Sequence, residues 1–221
     1  MNLEEAIRAR HSVRQYQNKP LEAEVISEIQ AEIDACNQEG RMHIQLVTNE
    51  PKAFEGFMAH YGKFRGVTNY IAMIGKKGAA LDEKCGYYGE RLVLKAQQLG
   101  LNTCWVALTY SKIKTAFSVD GGEKLCVVIA LGYGENQGAE RKSKTISQVT
   151  KTNGQMPEWF KKGVEAALLA PTAMNQQKFT FTLNGGKVSA RAGAGFYTKV
   201  DLGIVKYHFE IGAGRNNFVW A

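Results

Sequence analysis

The strongest constraint on how this chain folds is that one stretch echoes another. When Gly86 is set against Gly203, Leu92, Leu94 and Ala96 fall on Phe209, Ile211 and Ala213, and Trp105 falls on Trp220 once two residues are dropped. Both stretches start from an acid, Asp82 and Asp201, and a second match sets the segment near 22–46 against the one near 157–181. The period is far longer than the 20–50 residues of stacked repeats, so the pattern points to an ancient duplication in which half packs against half. The competing reading is chance resemblance between amphipathic helices.

The local patterns fill in such halves. Residues 3–10 and 21–35 carry apolar side chains at helical spacing, and 43–48 alternate as a strand does. Val67 to Gly75 reads as a buried strand, and Asp82 to Leu99 as a long amphipathic helix stopped by Gly100. Leu101 to Leu108 and Leu125 to Leu131 are further core segments. Gly134 to Gln148 is polar and charged and is the best candidate for a linker or crossing arm. Beyond it lie a helix near 157–169, a strand pair near 178–191 and a helix from Asp201 to about Ala213. The expected division is 1–135, a linker over 136–156, and 157–221.

With 221 residues the chain can bury a core without staples, so Cys36, Cys85, Cys104 and Cys126, far apart and outside any metal-ligand spacing, read as reduced core residues. The acidic, arginine-bearing start has no apolar run behind it, and no stretch reaches the roughly 18 apolar residues of a membrane span. The expectation is a soluble, cytoplasmic protein with no membrane partner. A net charge of +7 and a pI near 9.2 favour anionic partners. Nucleic acid is disfavoured, because the basic residues cluster only at 8–14, 75–77, 141–144 and 161–162 rather than in a continuous stripe. His43, His60 and His208 are isolated and read as surface or packed residues, and no metal site stands out.

Three stretches could carry chemistry. In Arg10-His11-Ser12-Val13-Arg14 an extended backbone would turn Arg10, Ser12 and Arg14 to one side, where two guanidiniums and a hydroxyl suit a phosphate. The alternative is a solvated basic helix end. In Leu168 to Gln177 a helix must stop at Pro171, leaving a small amide-rich loop, Thr172 to Gln177, able to meet the donor and acceptor edge of a heterocycle. The alternative there is an ordinary turn into a strand. Gly86 and Gly89, on one helix face, admit either a flat ligand or another helix. Gly132, Gly134 and Gly138 do not have dinucleotide-binding spacing.

Taken together these residues are similar to the FMN-dependent nitroreductase family, in its branch of single chains with two related halves. The likeness covers nearly the whole chain. It rests on Arg10-x-Ser12-x-Arg14, on Leu99-Gly100-Leu101-Asn102-Thr103 before Trp105, and on Ala130 to Tyr133. The resemblance implies an α+β fold, an α/β/α sandwich with a mixed, mainly antiparallel sheet and two halves packed as a pseudo-dimer. It implies FMN held through Arg10, His11, Ser12 and Arg14, with Arg141, Lys142 or Lys144 reaching the phosphate. NADH or NADPH would be the donor and a nitroaromatic, quinone or similar small molecule the acceptor, in a ping-pong cycle that needs no side chain as catalytic acid or base. The protein would be a monomeric pseudo-dimer, with weak homodimerisation left open.

The departure from the family pattern is informative. The family's Ala-Pro-Ser-x-x-Asn-x-Gln loop belongs where this chain has Asp34 to Gln38, which is degenerate. Its match, Ala170 to Gln177 with Pro171, Thr172, Asn175 and Gln177, lies in the second half, which has no arginine motif. Complementary loss implies one FMN per chain, served by both halves. The competing readings are a flavin-binding or flavin-sensing protein without turnover, and a nucleic-acid binder.

Overall fold

A computed structural model describes residues 1–152 and 154–221. Helices α1 (Leu3–Ala9) and α2 (Ala23–Gly40) precede strand β1 (Gln45–Val47), a short helix α3 (Phe57–Tyr61) and strand β2 (Asn69–Lys76). Helix α4 (Leu81–Gln98) leads into β3 (Asn102–Val106) and β4 (Glu123–Gly132). After a one-turn helix α5 (Ile146–Val149) and β5 (Thr150–Thr152) come α6 (Glu158–Leu168), β6 (Phe179–Asn184), β7 (Lys187–Ala192), α7 (Thr198–Ala213) and β8 (Val219–Trp220). The described residues form two compact units, one of residues 9–81 with 91–139, the other of 1–8, 82–90 and 140–221.

The first unit is an antiparallel sheet in the order β1-β2-β4-β3. Its two central strands are apolar on nearly every residue, because both faces are covered. Tyr70, Ile71, Ala72, Met73 and Ile74 on β2, and Val128, Ile129 and Ala130 on β4, are all inaccessible to solvent. Helix α2 turns Ile29, Ile33 and Cys36 inward at helical spacing and ends where Arg41 enters the left-handed region at φ 49°. The Asn37 side chain then pairs with both backbone groups of Ile44 and delivers the chain into β1. Asp34 to Gln38, where a flavin loop would have stood, is therefore uninterrupted helix.

The stretch after α1 lies extended along the free edge of β3. Ser12 bridges Thr103 in parallel, the Val13 amide donates to the Thr103 carbonyl at 3.0 Å, and Tyr16 bridges Gly134. Val13 and Tyr16 point into the core, and the Tyr16 hydroxyl donates to the Val13 carbonyl at 2.7 Å.

The second unit has a mixed sheet in the order β5-β6-β7-β8, with a hairpin between β6 and β7 turned by Gly185 and Gly186, both at positive φ as such a turn requires. Against it packs an aromatic cluster in which Phe181 stacks on Phe209 at 4.6 Å and Phe160 meets Phe209 edge-on at 5.5 Å. Behind the cluster α7 crosses the first half of α4 with no side chain between them. A Cβ on Gly86 would lie 1.9 Å from the Val200 carbonyl oxygen, and one on Gly203 would lie 1.9 Å from that of Glu83. One constant shift in numbering carries 83, 86 and 87 onto 200, 203 and 204, and the residues that meet are Gly86 with Val200 and Ile204, and Gly203 with Glu83 and Tyr87. The crossing is thus isologous, the arrangement of a two-fold dimer interface, inside one chain. Of the two readings of the Gly86 stretch, close helix packing is the one the structure bears out for that residue.

No neighbour can yield at these two positions, since the colliding atoms are backbone. Gly86→Ala and Gly203→Ala should each lower the unfolding free energy by about 3 kcal/mol or more, at the top of the overpacking range. Gly78→Ala, where a Cβ meets nothing within 4 Å, should be close to neutral. Urea unfolding of the three variants checks this.

Candidate functional site

The expected cofactor residues fall into two groups, one in each unit. In the first unit, the bridge of Ser12 to Thr103 turns Val13 into the core and carries the chain from the buried Arg10 to the exposed Arg14. Arg10, Ser12 and Arg14 all act electrostatically on the Cys104 thiol of β3. Burial pushes this thiol up, while Arg14, a hydrogen bond from Ser12 and Arg10 all act on it in the opposite sense. Arg10 is 2 % exposed, whereas Arg14 is open to solvent and stands 6.0 Å from the Phe64 ring centre. His11 packs against the turn at Gly138, where a Cβ would come within 2.6 Å of its own. Arg14 opens onto a pocket of about 360 Å³ whose other walls are Tyr61, Gly62, Lys63, Phe64, Trp105 and Thr109. Gly62 and Thr109 stand close together in its wall.

In the second unit the structure brings Arg141, Lys144, Pro171, Thr172, Asn175 and Gln177 together. Helix α6 ends at Leu168 because Pro171 cannot continue it, and the chain turns through Met174, Asn175 and Gln177 at φ 51°, 53° and 46°. Residues with long side chains resist this region, at about 1–3 kcal/mol each, so the loop must be held from outside. Segment 141–144 does part of the holding. Arg141 donates to the Ala170 carbonyl at 2.6 Å, and the Lys144 ammonium donates to the Gln177 carbonyl at 2.8 Å. The Lys142 carbonyl accepts from the Asn175 and Gln177 amides at 2.9 and 3.0 Å, and the Gln177 side-chain oxygen accepts the Lys144 amide at 2.8 Å. Gln177 is 4 % exposed, so its amide is spent on shaping the loop. The Thr172 hydroxyl likewise accepts the Gln177 amide at 3.1 Å.

Two residues of this loop system had escaped sequence reasoning. Asp201, in the first turn of α7, accepts the Ala173 amide at 2.9 Å on one oxygen and the Gln176 side chain at 2.7 Å on the other. In sequence it is merely an acid near a helix start, and only the tertiary fold shows that its partners lie two strands earlier. Met174 stands at the loop apex, 96 % exposed, an apolar side chain on a strained backbone. Its signal was the absence of a glycine where the backbone needs one, which cannot be read before the backbone is known.

The fold and these two groups define a class. Among solved structures, the chain is similar over 98 % of its length to 85 % of a putative nitroreductase from Thermotoga maritima, at 25 % identity and a TM-score of 0.66. It is also similar over 71 % of its length to a putative nitroreductase in complex with FMN from Desulfovibrio desulfuricans (99 % of that chain, 19 % identity, TM-score 0.55). A third likeness covers 70 % of this chain and all of a putative NADH dehydrogenase/NAD(P)H nitroreductase from Parabacteroides distasonis (22 % identity, TM-score 0.54). The fold is that of the nitroreductases. Residues 2–213 match the family described as putative TM nitroreductase, and the chain belongs to that family. A search of curated proteins finds no match. No helix among the described residues is long and apolar enough to cross a membrane.

Burial pushes the Asp201 carboxyl up from 3.8 to about 6, against the pull of its two hydrogen bonds. The folded protein therefore holds this proton more tightly than the unfolded chain does. The corresponding stabilisation is complete below pH ~3.8 and is lost as pH rises through about 6, a change of at most about 3 kcal/mol. The unfolding free energy of the wild type relative to Asp201→Asn should fall between pH 4 and 6 and level off above 7. Asp201→Ala, which orphans both donors, should cost about 1–3 kcal/mol at neutral pH. Chemical denaturation across pH measures both.

Proposed function

We propose that the protein is an FMN-dependent oxidoreductase that takes electrons from NADH or NADPH and passes them to a small acceptor such as a nitroaromatic or a quinone. The observation that carries this reading is the pairing of residues 12 and 13 with the edge of β3, which places Arg14 at the pocket walled by Tyr61, Phe64 and Trp105. The donor set fits the cofactor. A phosphate dianion calls for guanidiniums and a hydroxyl at hydrogen-bonding reach, and a tricyclic ring calls for flat apolar walls. The pocket, at about 360 Å³, lies in the range of small-molecule sites.

FMN, when bound, supplies the hydride and electron chemistry. The chain's residues bind, orient and tune it. Arg10, buried and fixed, and the Ser12 hydroxyl would hold the phosphate, with His11 seated against Gly138 to fix the strand between them. Arg14, at the pocket, is the cation available to offset negative charge on a reduced ring. Loop 170–177 would supply the second contribution to the flavin, through Pro171, Thr172 and Asn175, with Met174 exposed beside them. Arg141, Lys144 and Gln177 brace this loop in the described structure, and one of the basic residues in 141–144 would complete the phosphate site. This division follows from the complementary loss of motifs, and with the isologous crossing of α4 and α7 it supports a duplicated chain, with halves 1–135 and 157–221, that works as a monomer with one FMN. The free cysteines agree with a cytoplasmic enzyme.

Arg10→Ala and Arg14→Ala should each weaken FMN binding about 10- to 100-fold, the worth of one or two charge-assisted hydrogen bonds, as measured by flavin fluorescence titration. Yellow holoprotein that survives dialysis in both variants would contradict the assignment. Anaerobic NADH or NADPH should bleach the wild-type flavin, and an unbleached flavin would favour a binding protein without turnover.

A further inference from the structure

At the far end of the first unit's sheet a second cluster has chemistry of its own. His43 precedes β1, Glu123 opens β4, and Asp120 lies in the turn before it. One ligand atom from each, an imidazole nitrogen and two carboxylate oxygens, lies within 4.8 Å of the others. His43 comes from a part of the chain far from Asp120 and Glu123, and the fold holds the three in place. The His43 amide extends the β1–β2 ladder by donating to the Ile74 carbonyl, and the Asp120 amide donates to the Glu123 carboxylate at 3.0 Å. His43 Nδ1 is 2.7 Å from the same carboxylate, and Gln45, bonded through its side chain to Ser118, braces the turn from the other side.

We propose that His43, Asp120 and Glu123 bind a divalent transition cation of the zinc class. One imidazole and two carboxylates form a mixed nitrogen and oxygen set suited to such ions, and a fourth position is left for water. Two carboxylates balance the charge of a dication. At metal–ligand distances of about 2.0–2.1 Å the edge of a tetrahedron is about 3.3 Å, so the His43–Glu123 contact need open by only about 0.6 Å. The opposing influence is Lys76, paired with Glu123 in the β2–β4 register, whose ammonium would compete for the carboxylates. The cluster sits at the Glu123 end of β4, whereas the arginine stretch adjoins the Gly132 end through β3. Nine residues of strand separate the two, about 30 Å, so the ion would tie the edge strand β1 to β4 and take no part in the flavin site.

The test uses the full chain, stripped with chelator and titrated with zinc chloride by calorimetry, with cobalt(II) as the visible-absorption probe. The expected result is one equivalent per chain, raising the melting temperature of the wild type. Loss of one ligand should exceed the 10- to 100-fold effect of losing an outer partner, so His43→Ala and Glu123→Gln should bind at least about 100-fold more weakly. Asp120→Asn, on an exposed turn, should weaken binding to a similar degree. Circular dichroism identifies any variant that has failed to fold. No binding at millimolar zinc, or one equivalent retained in all three variants, would overturn the proposal.

Discussion

The hydrogen bond from the Val13 amide to the Thr103 carbonyl is the contact on which the site depends. By pairing the residues after α1 with the free edge of β3, it makes an otherwise irregular stretch behave as a strand. Val13 and Tyr16 then fall inside, and Arg14 is left open to solvent at the pocket. Without this register two arginines near a helix end would be no more than solvated charges. The same edge pairing protects β3 from exposed, unpaired backbone groups. The pocket beside Arg14 follows from it, since Trp105 lies on β3 two residues beyond the bridge.

The second unit solves a different problem, that of keeping a left-handed loop in place. Met174, Asn175 and Gln177 occupy backbone conformations that cost free energy, and the loop persists because hydrogen-bonded partners hold it on two sides. Segment 141–144 grips it through backbone carbonyls, and Asp201 grips it from the start of α7. Helix α7 is itself located by the glycine crossing with α4, so a contact between two glycine-bearing helices reaches the loop through a single carboxylate. Stability and site geometry are coupled along this route.

Most of the secondary structure was legible in the sequence because it is amphipathic or continuously buried. Helices α2, α4, α6 and α7 and strands β2, β3, β4, β6 and β7 announce themselves through Ile29, Ile33, Leu92, Phe160, Val164 and the apolar runs of the two central strands. The echo between Gly86 and Gly203 was legible too, although its meaning as mutual helix contact needed the fold. What escaped was short or long-range. Helix α3 has five residues, β5 three and β8 two, too few for any period to show. The inward commitment of the Gln177 amide, the grip of Asp201 and the meeting of His43 with Asp120 and Glu123 all depend on tertiary partners that no local pattern encodes.

The position that the phosphate of the flavin takes decides the function. A crystal structure of the protein soaked with FMN tests this directly. The expected result is the phosphate on Arg10, Ser12 and Arg14, with the ring reaching the pocket at Trp105 and Phe64. A flavin bound elsewhere, or a pocket that stays closed to FMN at saturating concentration, would contradict it.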